Sequence, residues 1–220
     1  MKLTYFGHAM FLLEGDGTSV LIDPYDEQCG YTLPRLAPAF VVVSHEHFDH
    51  NNVQLAQGSP KVIRALRQEG ADWADLHEAL GPFSLSTVPT YHDEARGTKR
   101  GKNAMLIFEG EGLHLVHAGD LGHPLSVEQV KALGRVDVLL IPVGGHYTID
   151  AREAHGVVEQ IQPRVVIPMH YKTEVNEGWP ITPVEPFIRG QARVKQQGHS
   201  VTVSAAALPA EREIWVLRYR

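Results

Sequence analysis

The chain has 220 residues, 43% of them apolar, and a formal net charge of −6 with histidine neutral. That is enough for one domain over residues 1–220 with its own core and no disulfide staples, and it leaves no global basic field to draw in nucleic acid or an anionic membrane. The single Cys29 cannot close an internal disulfide, no signal-peptide pattern opens the chain, and no apolar run approaches the ~20 residues that span a bilayer, so a cytoplasmic protein is expected.

Residues Lys2 to Asp23 read as short strands around the turn Glu14-Gly15-Asp16-Gly17. Val20-Leu21-Ile22 is a strand stopped by Asp23-Pro24. Glu27 to Pro38, punctuated by Gly and Pro, reads as a loop, with Cys29 as a small, partly buried residue in it. The apolar run Phe40 to Val43 reads as a buried strand and leads directly into His45-Glu46-His47-Phe48-Asp49-His50. In an extended segment, side chains two apart point the same way. His45 and His47 can therefore reach one metal, while Asp49 and His50, further round the turn, are placed for a second. A structural zinc site draws on Cys; an imidazole and carboxylate set suits Zn or Mn, with Fe also compatible, and leaves room for water.

Asn51 to Gln57 reads as the start of a helix and Pro60 to Ala65 as a strand, while 71–80 fits both a helix and short strands. Phe83 to Pro89 alternates as a strand and delivers Tyr91-His92-Asp93. Asp93 to Lys102 follows as a polar loop carrying Arg96, Lys99, Arg100 and Lys102, which reads either as a solvated hairpin loop or as a mouth that attracts an anionic substrate. Asn103 to Glu109 and Leu113 to Ala118 are strands, the second ending in His117-Ala118-Gly119-Asp120. Ser126 caps a helix to Leu133. Val136 to Val143 is a buried strand ending at Gly144-Gly145-His146-Tyr147. Asp150, with Glu153 three residues on, opens a helix to about Ile161. Arg164 to Pro168 is a strand that delivers Met169-His170-Tyr171. Val184 to Gly190 reads as a helix, and Ser200 to Ser204 and Ile214 to Tyr219 as closing strands. Strand–helix units ending in a strand imply a layered α/β fold.

The motif His45-x-His47-x-Asp49-His50 resembles the signature of the metallo-β-lactamase superfamily. Gly7-His8-Ala9, Gly119-Asp120 and Met169-His170-Tyr171 resemble its ascorbate-6-phosphate-lactonase-like (UlaG-like) branch, and the resemblance runs from about Leu3 to Lys172. It implies a four-layer αβ/βα sandwich. It also implies two divalent ions, one on His45, His47 and His92 and one on Asp49, His50 and His170, with Asp120 bridging. Asp23, at a strand end under the metals, would support the ligands from behind, or it forms a plain Asp-Pro turn. His117, three before Asp120, could orient a ligand in the same way.

Such a pair of ions would activate a water as nucleophile and stabilise the developing oxyanion, so no Ser or Cys nucleophile is needed. Asp49 would bind metal and orient or deprotonate the water. His8 and His146, each following glycine at a strand end, and Tyr147 next to His146 are candidates for protonating the leaving group; each also reads as a turn or core residue. Arg96, Tyr147 and Lys172 are the expected substrate contacts, with Lys99 and Arg100 as further anion contacts. His123 lies close to Asp120 and could face the cleft, whereas His77, His114, His155 and His199 have no ligand context. The expected function is hydrolysis of a small lactone or phosphorylated substrate, with phosphodiesterase action on RNA or a phospholipid-type molecule as the second reading. His47 stands where the oxygen-reducing diiron relatives carry Glu, which argues against redox chemistry; a non-catalytic metal binder is the plainest alternative. The sequence allows a homo-oligomer and does not fix the oligomeric state.

Overall fold

A computed structural model describes residues 1–220. The first half builds β1 (Lys2–Gly7), β2 (Met10–Gly15), β3 (Thr18–Ile22), β4 (Phe40–Val43) and β5 (Lys61–Arg64), then the small ribbon β6 (Leu66–Arg67) and β7 (Asp72–Trp73). A second run gives β8 (His77–Leu80), β9 (Phe83–Tyr91), β10 (Lys102–Gly110), β11 (Leu113–His117), α1 (Val127–Leu133), β12 (Val138–Pro142), α2 (Ala151–Ile161) and β13 (Val165–Met169). The tail adds α3 (Glu185–Ile188), β14 (Val194–Gln197), β15 (Ser200–Thr202) and β16 (Glu213–Leu217). The first sheet has the order β15-β1-β2-β3-β4-β5 and the second β14-β16-β13-β12-β11-β10-β9-β8.

The sheets pack face to face, and period-2 alternation decides which residues meet. Ala104, Leu106 and Phe108 of β10, Val138 and Leu140 of β12, and Val165, Ile167 and Met169 of β13 point inward. They meet Leu3, Tyr5, Phe11, Leu13 and Val42 from the first sheet. Met105, Ile107, Leu139, Ile141 and Val166 point outward, where Ala154, Val157, Val158 and Ile161 of α2 cover them. Both faces of the central strands are buried, so they read as unbroken apolar runs. Each fully buried aliphatic side chain contributes ~1.5–3 kcal/mol.

The helices cover the second sheet only. Behind the first sheet, Tyr25 and, from the Gly- and Pro-punctuated loop, Cys29, Tyr31, Leu33 and Leu36 pack on Phe6, Leu21, Val41 and Val43. The fold is the expected layered sandwich, with loops and 3-10 turns as its outermost N-terminal layer.

The helix expected at Asn51 to Gln57 is instead a single 3-10 turn, Val53–Leu55. The Asn52 amide donates to the Pro24 carbonyl at 2.8 Å and the Gln57 amide to Leu36 at 2.7 Å, so the backbone serves the neighbouring loop rather than an i−4 ladder. Residues 71–80 settle as the strands β7 and β8. β14 was not expected; Lys195 and Gln196 are exposed on it, and a polar edge strand has no apolar alternation to read. Capping boxes form at Ser126 with Gln129 and at Asp150 with Glu153. No helix is long and apolar enough to cross a membrane.

Candidate metal centre

Strand direction gathers the site. β3, β4 and β5 are parallel, and β1 runs with them because β1–β2 and β2–β3 are both antiparallel. In the second sheet β11, β12 and β13 are parallel, and β9 runs with them through two antiparallel pairings via β10. The carboxyl ends of these strands lead into His8, Asp23, His45 to His50, His92, Asp120, Tyr147 and His170. A crevice at the carboxyl ends of aligned strands is where open α/β sheets bind ligands.

The gathered side chains form a compact cluster with Asp120 at its centre. Asp120 Oδ2 lies 3.1 Å from His92 Nε2 and 3.3 Å from His170 Nε2, and Oδ1 lies 3.1 Å from His50 Nε2. His45 Nε2 is 3.9 Å from Asp120 Oδ2. Ligand atoms of His45, His47 and His92 all lie within 4.8 Å of one another, and those of His8, Asp49, His50 and His170 do likewise. All are buried except His47, which is half-buried. His8, Asp23 and His170 adopt positive φ angles of 52°, 47° and 51°, conformations that cost non-glycine residues energy and collect at functional sites.

Beneath the cluster, Asp23 is the anchor. Its Oδ1 accepts the Ser44 amide at 2.7 Å, and its Oδ2 accepts the Ser44 hydroxyl at 2.6 Å and His50 Nδ1–H at 2.9 Å. The Ser44 hydroxyl, its proton committed to Asp23, in turn accepts from His45 Nδ1 at 2.9 Å. One carboxylate thus sets the tautomer of two histidines and leaves both Nε2 lone pairs aimed inward. His117 donates from Nε2 to the Ala9 carbonyl at 2.8 Å and accepts the Gly119 amide on Nδ1 at 3.1 Å. It steadies the turn before Asp120 and lies 3.9 Å from Asp23 Oδ2. Asn103 Oδ1 accepts the Asp120 amide at 3.0 Å, while its amide donates to Thr90 and Ala118.

The charges show what the cluster lacks. His45 and His47 are held below the usual imidazole range by burial and by neighbouring histidines. Burial opposes ionisation of Asp120 and Asp49, yet surrounding histidines hold both carboxyls well below their usual range. His50 is pushed well above its range despite burial, because Asp120 and Asp49 face it. His45 Nε2, His50 Nε2, His170 Nε2 and Asp120 Oδ1 are buried without a hydrogen-bond partner, a costly state that a cation among them would relieve. The donor set of imidazole and carboxylate fits a divalent ion.

His8 is fully buried, and its Nε2 lies 3.1 Å from Asp49 Oδ2. Burial and then His170 lower its pKa to about 4, although Asp49 pulls the other way. His8 is therefore neutral at pH 7 and donates Nε2–H to Asp49. Its ring packs 4.1 Å from that of His170 and 5.4 Å from that of Trp179.

The cluster floors a cavity of about 620 Å³, where His47, Asp49, His92 and Asp120 reach the surface. Phe48, Lys99, Arg100, Tyr147 and Trp179 form its walls, with Gln28 at the rim. Of the expected substrate contacts, Tyr147 is in this wall. Arg96 lines a separate depression with Tyr91 and His123, and Lys172 and His146 line neither. His146 is exposed, and His123 spends its ring on the Tyr91 amide and the Pro124 carbonyl. Ser44, Asn103, Gln28 and Trp179 were not anticipated. Asn103 had a readable signal, a lone amide opening the apolar run Ala104 to Phe108, whereas Trp179 in Gly178-Trp179-Pro180 had none.

A model of the β-lactamase superfamily domain matches residues 2–170, a span that ends on the last residue of the cluster. The chain belongs to this superfamily. Within it, the chain is a member of the UPF0173 metal-dependent hydrolase family. It is 34% identical over 195 residues to the member from Methanosphaerula palustris, covering 82% of this chain and 85% of that one. It is 33% identical over 190 residues to the member from Thermoplasma acidophilum, covering 79% and 84%. A crystal structure from Thermotoga maritima, described as a Zn-dependent hydrolase of the metallo-β-lactamase superfamily, superposes with a TM-score of 0.79 at 34% identity over 98% of this chain and 97% of its own. The family's fold and the direction of the strands account for one another: the same alignment of carboxyl ends places every clustered residue.

Proposed function

We propose that this protein is a hydrolase that holds two divalent ions, Zn or Mn with Fe also suited, and cleaves a lactone or ester bond in a small molecule, phosphorylated or not. The observation that carries the reading is the set of buried, unpartnered Nε2 atoms around Asp120 at the floor of an open cavity. His45, His47 and His92 would hold one ion. Asp49, His50 and His170 would hold the other, and Asp120, with oxygens facing both groups, would bridge. The ions would supply a water nucleophile at neutral pH and a Lewis acid for the developing oxyanion.

The protein's own groups do the rest. Asp49, fixed by His8, lines the cavity and orients and deprotonates the attacking water. Its partner His8 is neutral and lies outside the cavity wall, so its part is to hold Asp49. Tyr147 stands in the wall and protonates the leaving group as the scissile bond breaks. Names of the relatives and resemblance to the lactonase-like branch both support hydrolysis. Phosphodiesterase action remains the second reading, favoured by Lys99 and Arg100 in the wall.

The test is a panel of lactones, aryl esters, phosphodiesters and β-lactams, run with Zn and Mn supplied separately. At least one class should turn over, and Tyr147→Phe should lower kcat roughly 100-fold for poor leaving groups while sparing nitrophenolate. Fully metal-loaded protein that turns over none of the classes would end the hydrolase reading.

A further inference from the structure

The loop after His92 is far more ordered than its polar sequence suggests. Asp93 is 1% exposed, and its carboxylate gathers four backbone amides from the loop. Oδ1 accepts from Ala95 at 2.8 Å and Gly97 at 2.9 Å; Oδ2 accepts from Lys99 at 3.0 Å and Arg100 at 2.7 Å. The Gly101 amide donates to the Gly97 carbonyl at 3.0 Å, and the Gly101 carbonyl accepts the His92 amide at 3.1 Å. The loop backbone is therefore tied to Asp93 along its length and, at its far end, to the amide of the candidate ligand His92.

The tie selects among the cations. Lys99 is exposed and neutralised by Glu94. Arg96 lies on the far side of the loop, in the other depression. Arg100 is half-buried in the cavity wall, pairs with no carboxylate, and lies with its guanidinium carbon 5.8 Å from the centre of the Tyr147 ring. A guanidinium offers two parallel N–H bonds to a carboxylate or phosphate, and with the Arg100 backbone already tied to Asp93 the cost of ordering the loop is met in the free protein.

We propose that Arg100, whose backbone the Asp93 carboxylate holds at the cavity wall, recognises a non-reacting anionic group of the substrate, so that this hydrolase acts on small molecules carrying a phosphate or carboxylate away from the scissile bond. Asp93 is a positioning residue. The substrate class rests on the hydrolase reading, but recognition of the anion does not require turnover.

Two arms test it on the metal-loaded protein. In the kinetic arm, mono(p-nitrophenyl) succinate and its distal phosphate counterpart are compared with p-nitrophenyl acetate, which has the same scissile bond and no charge. Wild type should favour one or both anionic esters in kcat/KM, and whichever it favours identifies the anion. Arg100→Gln should cut that preference roughly 10- to 100-fold, Arg100→Lys less, and Asp93→Asn should show its loss in KM rather than kcat, with metal content retained. Arg96→Gln, on the outer side, should keep the wild-type preference; an equal loss there would assign the effect to the general field of the loop and overturn the proposal. In the binding arm, calorimetry compares N-phenylsuccinamate and its distal phosphonate counterpart with acetanilide. Tighter binding of an anionic ligand that Arg100→Gln removes supports the proposal even if no ester is hydrolysed. Equal binding of charged and neutral ligands by wild type, or equal binding by wild type and Arg100→Gln, overturns it.

Discussion

Asp23 and Asp93 are both buried carboxylates that end strands, both saturated with hydrogen-bond donors, and they organise two regions of opposite character. Asp23 holds side chains: it fixes the rings of His50 directly and His45 through Ser44, at the floor of the cavity. Asp93 holds backbone: it closes a loop on itself and so places Lys99 and Arg100 at the wall. The floor is set by the sheets, since its residues follow strand ends that the core fixes. The wall is set by one side chain and a turn. In the proposed hydrolase the floor would determine how a bond is broken, and the wall which molecule arrives. Metal affinity should therefore respond to the floor alone and substrate preference to the wall alone.

The largest effect should come from the centre of the floor. Asp120→Ala removes the carboxylate that faces His50, His92 and His170. Metal should fall below detection by elemental analysis and hydrolysis should vanish, with the fold retained by circular dichroism; His47→Ala should do the same. Unchanged metal content in both variants would dissolve the distinction between the two regions, because the floor would then hold no ion.

Acid should act on the floor of the metal-free protein. His8 has a folded pKa of about 4, against ~6.5 when unfolded. The unfolded chain binds the extra proton between these values, so stability falls as pH drops from about 6.5 to about 4. Taken alone the group accounts for at most about 3 kcal/mol. His8→Asn should flatten the pH dependence of Tm across that window, and parallel curves for the two proteins would refute the assignment.

Asp23→Asn and Asp93→Asn make the same isosteric change in the two regions. At Asp23 an amide nitrogen would face donors, either Ser44 or His50, and ligand orientation should loosen. Metal affinity measured by chelator competition should drop roughly 10- to 100-fold. The Asp93 variant should bind metal as wild type does. If both weaken metal equally, the loop and the floor are one unit and the comparison fails.

The same contrast explains what could be read from the sequence. The strands bearing His45, His92, Asp120 and His170 were legible because apolar runs and strand alternation mark the core, and each of these residues lies just after such a run. The role of Ser44 was not, since a hydrogen bond bridging 21 residues, as from Ser44 to Asp23, leaves no local pattern. On the wall, composition pointed to Arg96 first, with Lys99 and Arg100 as further anion contacts, and the structure brings only Lys99 and Arg100 to the cavity. Four amides converging on Asp93 turn Arg96 outward and Arg100 inward, a consequence of loop geometry that charge counting does not contain. His146 failed for a similar reason: a glycine before a histidine at a strand end marks a turn, and the turn here exposes the ring and gives the cavity Tyr147.

The smallest effect probes the wall through backbone shape alone. Gly97 and Gly101 both have positive φ, 78° and 89°. A Cβ on Gly97 would lie 2.7 Å from the Gly101 carbonyl oxygen and 3.0 Å from the Tyr91 ring, whereas one on Gly101 would meet nothing within 4 Å. Alanine at either position should cost about 1 kcal/mol for the left-handed conformation. Only Gly97→Ala must also open the loop that Asp93 closes. Both variants should lower Tm slightly and keep their metal, but Gly97→Ala alone should raise KM for an anionic ester. A matching rise for Gly101→Ala would mean that loop stability in general, rather than the placement of Arg100, governs the wall.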